Sequence, residues 1–204
     1  MIGELLLRET HHRCSNDLQL IVSLLSLQSR RMRSEEARVA LQDAADRVAV
    51  LARARAGMLD GRTPTLDAAL RQVCEALQLH AEPRSILIAF RADRPADGVP
   101  AERINPLTLV VNELITNAIK HAFKAGVPGQ ITVTLGRGAD GNVVVTVDDD
   151  GLPFPDSSAP DGGGLGLGLA KRLMASIGGV LIEPTGPAKL FELRVPSDNR
   201  QVPA

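Results

Sequence analysis

The sequence predicts an α+β protein: an N-terminal helical hairpin, then a domain in which helices cover one face of a sheet. Two observations carry that expectation. Residues 1–61 contain no proline, and their only glycines are Gly3, Gly57 and Gly61, a pattern suited to two long helices. From residue 65 onward, helix-length apolar patterns alternate with short β-branched runs in the order α, β, α, β, β, loop, α, β, β.

The first helix spans residues 1–31 and ends at a short break around Met32–Ser34. In the second, 34–61, Ser34 is placed to cap and Glu35 and Glu36 favour the first turn, while Gly57 and Gly61 weaken the end. Thr63-Pro64 stops that helix, and Thr65 is placed to cap the next, 66–79. A strand follows in "SILIAF", 85–90, then a Pro/Asp/Gly-rich loop and a helix over about 103–123 with Pro106 in its first turn. Strands at about 130–136 and 142–148 flank the hairpin signal "GRGADGN". A Gly/Pro/Ser/Asp-rich loop leads to a helix at 165–177, then to strands near 179–183 and 189–195 turned by "GPAK". The tail "SDNRQVPA" carries no element. The domain boundaries that result are 1–61 for the hairpin and 65–197 for the sandwich.

Composition narrows the function. At 204 residues the chain is long enough for one good-sized domain, or for a small helical module plus one domain. Its 44% hydrophobic and 23% charged content is that of a soluble protein, and a net charge of −1 offers no polyanion-binding surface. With no Trp, no Tyr and four Phe, the core is aliphatic and stacking platforms for nucleic acid are ruled out. Cys14 and Cys74 lie outside metal-ligand spacing and read as reduced thiols. No apolar run approaches a membrane span, and no signal peptide is evident, so a cytoplasmic protein is expected.

Two adjacent histidines, in "RETHHRCSNDLQL", separate by helix phase. At 100° per residue, His11 shares a stripe with Leu7, Cys14, Leu18, Ile21, Val22 and Leu25, an apolar seam. His12 shares one with Ser15, Asn16, Gln19, Ser23, Ser26 and Arg30, a polar face. His11 is therefore expected at the edge of the hairpin core, and His12 in solvent.

Three further stretches carry chemistry. In "NPLTLVVNELITNAIKHAF" the residues Glu113, Asn117 and Lys120 share a helix face, with His121 adjacent. Leu109, Val110, Leu114, Ala118 and Ile119 are expected to be buried. That polar stripe suits an oxygen-lined Mg²⁺ site that bridges phosphates, with Lys120 adding positive charge. In "VVVTVDDDGLPFP" a strand ends in aspartates, and a carboxylate there can accept from an exocyclic amine such as that of adenine. In "DGGGLGLGLAKRL" glycines run into a helix start, whose free N–H groups suit phosphates.

Taken together these stretches resemble the catalytic core of bacterial two-component sensor histidine kinases with the Bergerat-type (GHKL) ATP-binding fold. "ETHHRCSNDLQLIVSLLSLQSRR" resembles the H box of the subfamily related to the HWE kinases, "NELITNAIKHAF" the N box, and "DDDG" and "GGGLGLGLAKRL" the two glycine boxes. The resemblance implies ATP and Mg²⁺. It places His12 on the phosphoacceptor, with Arg13 and Asn16 beside it, and Asn16 where it could position a water for the reverse reaction. It places Asn117 on the Mg²⁺ ligand with Glu113 as a polar or basic helper, and Lys120 and His121 on phosphate contacts. Asp149 falls on the adenine-binding aspartate, followed by Gly151; Gly164 and Gly166, with Leu167, fall on the glycine-rich lid. The implied partners are a second copy, forming a dimeric four-helix bundle, and a response-regulator receiver domain.

The resemblance departs at Pro153, where the first glycine box carries a second glycine, and the HWE tryptophan motif is absent. Besides an autophosphorylating kinase, the sequence admits a histidine phosphotransfer protein or response-regulator phosphatase whose kinase-like domain is silent toward ATP. A serine kinase of the anti-sigma type would not need the hairpin.

Overall fold

A computed structural model of the chain describes residues 2–57, 65–93, 98–152, 165–185 and 189–197, with side chains outside that description at 2–16, 50, 51, 53–57, 165 and 166. Two compact units divide the chain, Met1–Pro64 and Thr65–Ala204.

The first unit is a hairpin of helices α1 (Ile2–Arg31) and α2 (Glu35–Gly57). Ser34 caps α2, its Oγ accepting from the Ala37 N–H at 3.4 Å. Beside the break, the buried Ser29 donates to the Arg38 carbonyl at 2.9 Å and ties the two helices together. Leu18, Val22 and Leu25 are half-buried on α1, and Ala45 and Ala52 are buried on α2. A second apolar stripe on α1 stays outside: Leu20 is 61% exposed, Leu24 53% and Leu27 48%. Leu20, Leu24 and Leu27 lie outside the His11 seam, nearly opposite it. Ile21, expected within that seam, is 43% exposed because it stands at the seam's edge, about 80° round the helix from His11.

The second unit begins with α3 (Leu66–Ala81), capped by Thr65, whose side chain accepts from the Ala68 N–H. A 3-10 turn, Glu82–Arg84, ends at Ser85, which adopts a left-handed conformation at φ 58°. Then follow β1 (Ile86–Ala92), α4 (Ala101–His121), β2 (Gly129–Arg137), β3 (Val143–Asp149), α5 (Leu165–Ser176), β4 (Val180–Ile182) and β5 (Phe191–Val195). The sheet order is β1-β2-β3-β5-β4, parallel between β1 and β2 and antiparallel elsewhere.

Alternation along the strands decides which face is covered. Ile86 and Ile88, Ile131, Val133 and Leu135, Val143, Val145 and Val147, and Leu193 and Val195 are buried, whereas the residues between them are more exposed. The three helices pack on that apolar side: α3 against β1 and α4, α4 against β3 and α5, α5 against β4. This is the α/β sandwich expected, with Leu109, Val110, Leu114, Ala118 and Ile119 all buried.

Two local details differ from the sequence reading. Helix α4 starts at Ala101, earlier than expected, because Pro100 holds the extended conformation of a cap residue (ψ 140°). Pro106 therefore lies in the second turn, where it leaves the Glu102 carbonyl without a helical donor; Glu102 is exposed, so water can take that role. Of "GPAK", Gly186, Pro187 and Ala188 lie outside the described residues, and Lys189 is not an exposed turn residue but is buried at 6%.

Candidate functional site

Strand parity selects one of the three aspartates at the end of β3. Asp149 continues the covered face set by Val143, Val145 and Val147, while Asp148 faces the exposed side. Asp150 leaves the strand and closes it: its carboxylate accepts from the Gln130 N–H at 2.7 Å, and its own N–H donates to the Gln130 carbonyl.

Asp149 is held from two sides. Its Oδ1 accepts from the Gly151 N–H at 3.0 Å and from the Lys189 ammonium at 2.9 Å. Both members of the ion pair are nearly enclosed, with side chains 6% exposed for Lys189 and 8% for Asp149. A carboxylate taken this far out of water is costly unless paired and hydrogen-bonded. The sequence reading missed Lys189. No local sequence signal marks it; it emerges from strand register, in which Val147 pairs with Phe191, so that two residues further along the antiparallel pair Asp149 stands opposite Lys189.

Gly151 joins this turn to the end of α4. A Cβ there would sit 2.3 Å from the carbonyl oxygen of Ala122 and 2.8 Å from its carbon, contacts with backbone that cannot swing aside. Only glycine allows the approach, and the Leu152 N–H donates to the same Ala122 oxygen at 2.6 Å. The end of α4 is itself fixed by Arg84, whose guanidinium donates to the carbonyls of Ile119 and Phe123. The aspartate turn is thus fastened to the helix end that carries Asn117, Lys120 and His121.

Along α4, Glu113 is 2% exposed and Asn112 3%, Asn117 and Lys120 are half-buried, and His121 is exposed. Among the described residues no buried side-chain nitrogen or oxygen lacks a hydrogen-bond partner. The polar stripe therefore grades from an enclosed carboxylate to an exposed imidazole near the Asp149 turn. Helix α5 packs on α4; Gly166 and the half-buried Leu167 stand in its first turn, while Gly164 and Pro153 lie outside the described residues. His12, Arg13 and Asn16 stand on α1, with their side chains outside the description.

The donor set decides what metal fits. Among the described residues no group of three His, Cys, Asp or Glu side chains could form a cage. Asn117 offers a single amide oxygen, half-buried one turn from the end of α4. That suits Mg²⁺, which keeps waters and completes its shell with substrate phosphates rather than protein side chains.

Comparison with known proteins matches two families along the chain. Residues 75–186 match the family described as histidine kinase-like ATPase domain, and residues 9–80 match the family described as histidine kinase. The sensor histidine kinase PdtaS of Mycobacterium tuberculosis is 34% identical over 176 residues, which are 83% of this chain and 34% of PdtaS. Blue-light-activated histidine kinase 2 of Erythrobacter litoralis is 30% identical over 201 residues, 93% of this chain and 56% of that protein. The chain thus spans about a third to about half the length of these curated relatives. Among solved structures, the histidine kinase domain of the Erythrobacter litoralis EL346 blue-light activated histidine kinase superposes with a TM-score of 0.68 at 23% identity, covering 91% of this chain and 97% of that domain. At that identity the likeness speaks for the fold.

Proposed function

The chain belongs to the histidine kinase family, with a histidine kinase-like ATPase domain, and on that premise we propose that it phosphorylates its own His12 from ATP and passes the phosphoryl group to an aspartate of a response-regulator receiver domain. The observation that carries the ATP step is the turn of Asp149 and Gly151 fastened to the end of α4. That turn adjoins the end of the helix whose Asn117, Lys120 and His121 suit a triphosphate, which supports reading Asp149 as the contact to the base.

In this reading Asp149 accepts the exocyclic amine of adenine. Lys120 and His121 meet the phosphates, and Gly164, Gly166 and Leu167 close over them at the start of α5. Asn117 would hold Mg²⁺ through its amide oxygen, and the ion would neutralise charge on the phosphate oxygens as the terminal group departs. Glu113, almost wholly enclosed one turn before Asn117, is the polar helper beside it rather than a base open to substrate. On the hairpin, a neutral ring nitrogen of His12 forms the N–P bond as the bond from the γ-phosphorus to the β–γ bridging oxygen breaks. ADP takes that electron pair, and the phosphoimidazole gives up its proton. Arg13 and Asn16 flank the acceptor, Asn16 where a water for dephosphorylation could be held.

The exposed stripe of Leu20, Leu24 and Leu27 supports a homodimer in which two hairpins form a four-helix bundle. No helix among the described residues is long and apolar enough to cross a membrane; a cytoplasmic location is part of this proposal.

Incubation with γ-labelled ATP and Mg²⁺ tests the assignment. Acid-labile label is expected on the wild type and on His11→Ala, and none on His12→Ala. Asp149→Asn and Asn117→Ala should each lower Mg·ATP affinity about ten- to a hundredfold, as the loss of one charge-assisted bond implies. A wild type that binds no nucleotide yet accepts phosphoryl from a phosphorylated receiver would establish the phosphotransfer reading instead.

A further inference from the structure

We propose that Lys189 is a positioning residue for nucleotide recognition: by clamping Oδ1 of Asp149 it presents the other carboxylate oxygen to the amine of the purine. The inference rests on the ATP-site reading above and adds a residue to it. Oδ1 takes both the Lys189 ammonium at 2.9 Å and the Gly151 N–H at 3.0 Å. Among the described residues Oδ2 accepts no bond, and no fully buried side-chain oxygen is left without a partner, so Oδ2 keeps an open side. A carboxylate pinned through one oxygen cannot rotate freely about χ2, so the accepting lone pairs of the other keep one direction.

The enclosure gives the clamp its weight. With side chains 6% and 8% exposed, the pair shares a setting where water does little to stabilise either charge alone. Without the ammonium, Asp149 would be an uncompensated buried carboxylate. It would then turn toward water, and so stop serving as a fixed acceptor for the purine amine. Lys189 lies just before β5, opposite Asp149 by continuation of the β3–β5 register, so the strands themselves hold the ammonium in place. It acts through Asp149; nothing requires it to touch the nucleotide.

The test compares ADP with inosine diphosphate, which has a carbonyl in place of the 6-amine, by calorimetry on the full chain with Mg²⁺. The wild type should prefer ADP by about tenfold or more. Lys189→Met, which keeps an unbranched stem without the charge, should bring that ratio close to one while leaving binding of inosine diphosphate within about threefold. If Lys189→Met does not fold, Lys189→Met combined with Asp149→Asn removes the unpaired charge as well. That pair should match Asp149→Asn alone in its ADP-to-inosine ratio. An ADP preference that survives in Lys189→Met overturns the inference, as does a double variant that discriminates less than Asp149→Asn alone. A wild type that binds ADP without preferring it over inosine diphosphate removes the Asp149 contact, and the inference with it. A wild type that binds neither nucleotide overturns the ATP-site reading instead.

Discussion

Gly151→Ala tests whether the aspartate turn is fastened to α4 by close backbone approach. The added Cβ would lie 2.3 Å from the Ala122 oxygen and 2.9 Å from the Ala122 Cβ, against ordinary contact from 3.4 Å. The turn must therefore retreat by about 1 Å, and the oxygen it retreats from is the one that holds the Leu152 N–H at 2.6 Å. Overpacking of this kind costs about 1–3 kcal/mol and the strained or lost hydrogen bond about 1 kcal/mol more. Because Gly151 is only half-buried, part of the strain relaxes outward, and about 2 kcal/mol is expected. For a unit of this size that lowers Tm by roughly 5–10 °C. Since Asp149 lies two residues away and bonds to the Gly151 N–H, Mg·ATP affinity should also fall, by about tenfold. Calorimetric unfolding and nucleotide titration measure both. Gly168→Ala is the control: a Cβ there meets nothing within 4 Å on helix α5, so it should raise stability by about 0.5–1 kcal/mol. A Gly151→Ala protein that melts within a degree of wild type and binds Mg·ATP equally well would refute the fastening.

Two other outcomes follow from burial. Leu20→Asp with Leu24→Asp, at positions 61% and 53% exposed in the single chain, should convert a sedimenting dimer to a monomer; dimers that persist at micromolar concentration would place the interface elsewhere. Burial, and then the neighbouring Glu75 carboxylate, push the Cys74 thiol up to about 12, so it should resist alkylation at pH 8 until the second unit unfolds, with peptide mapping to separate it from Cys14. Because the folded state holds that proton more tightly than the unfolded chain, the associated stability is complete below about pH 9 and is lost as pH rises toward 12. Flat stability across that window would show that Cys74 is not desolvated.

Much of this protein was legible without coordinates, because the signals are local. Helix ends follow from caps, and Ser34 and Thr65 accept the N–H groups their positions suggest. The strands follow from β-branched runs, and the buried side of α4 from its spacing of Leu109, Val110, Leu114, Ala118 and Ile119. The resemblance to the kinase boxes rests on order and residue type, which the chain carries in one dimension.

Tertiary structure alone decided what depends on residues far apart in sequence. The partner of Asp149 stands 40 residues away and becomes visible only once β3 and β5 pair. The need for glycine at 151 arises from Ala122, on another element, and not from its own backbone angles. Arg84 reaches the end of α4 across 35 and 39 residues to fix the carbonyls of Ile119 and Phe123. Helix phase set Leu18, Val22 and Leu25 on one side of α1 and Leu20, Leu24 and Leu27 nearly opposite, but it also put Ile21 in the seam, where packing leaves it 43% exposed. A local pattern fixes which residues share a face, whereas only packing determines what that face meets.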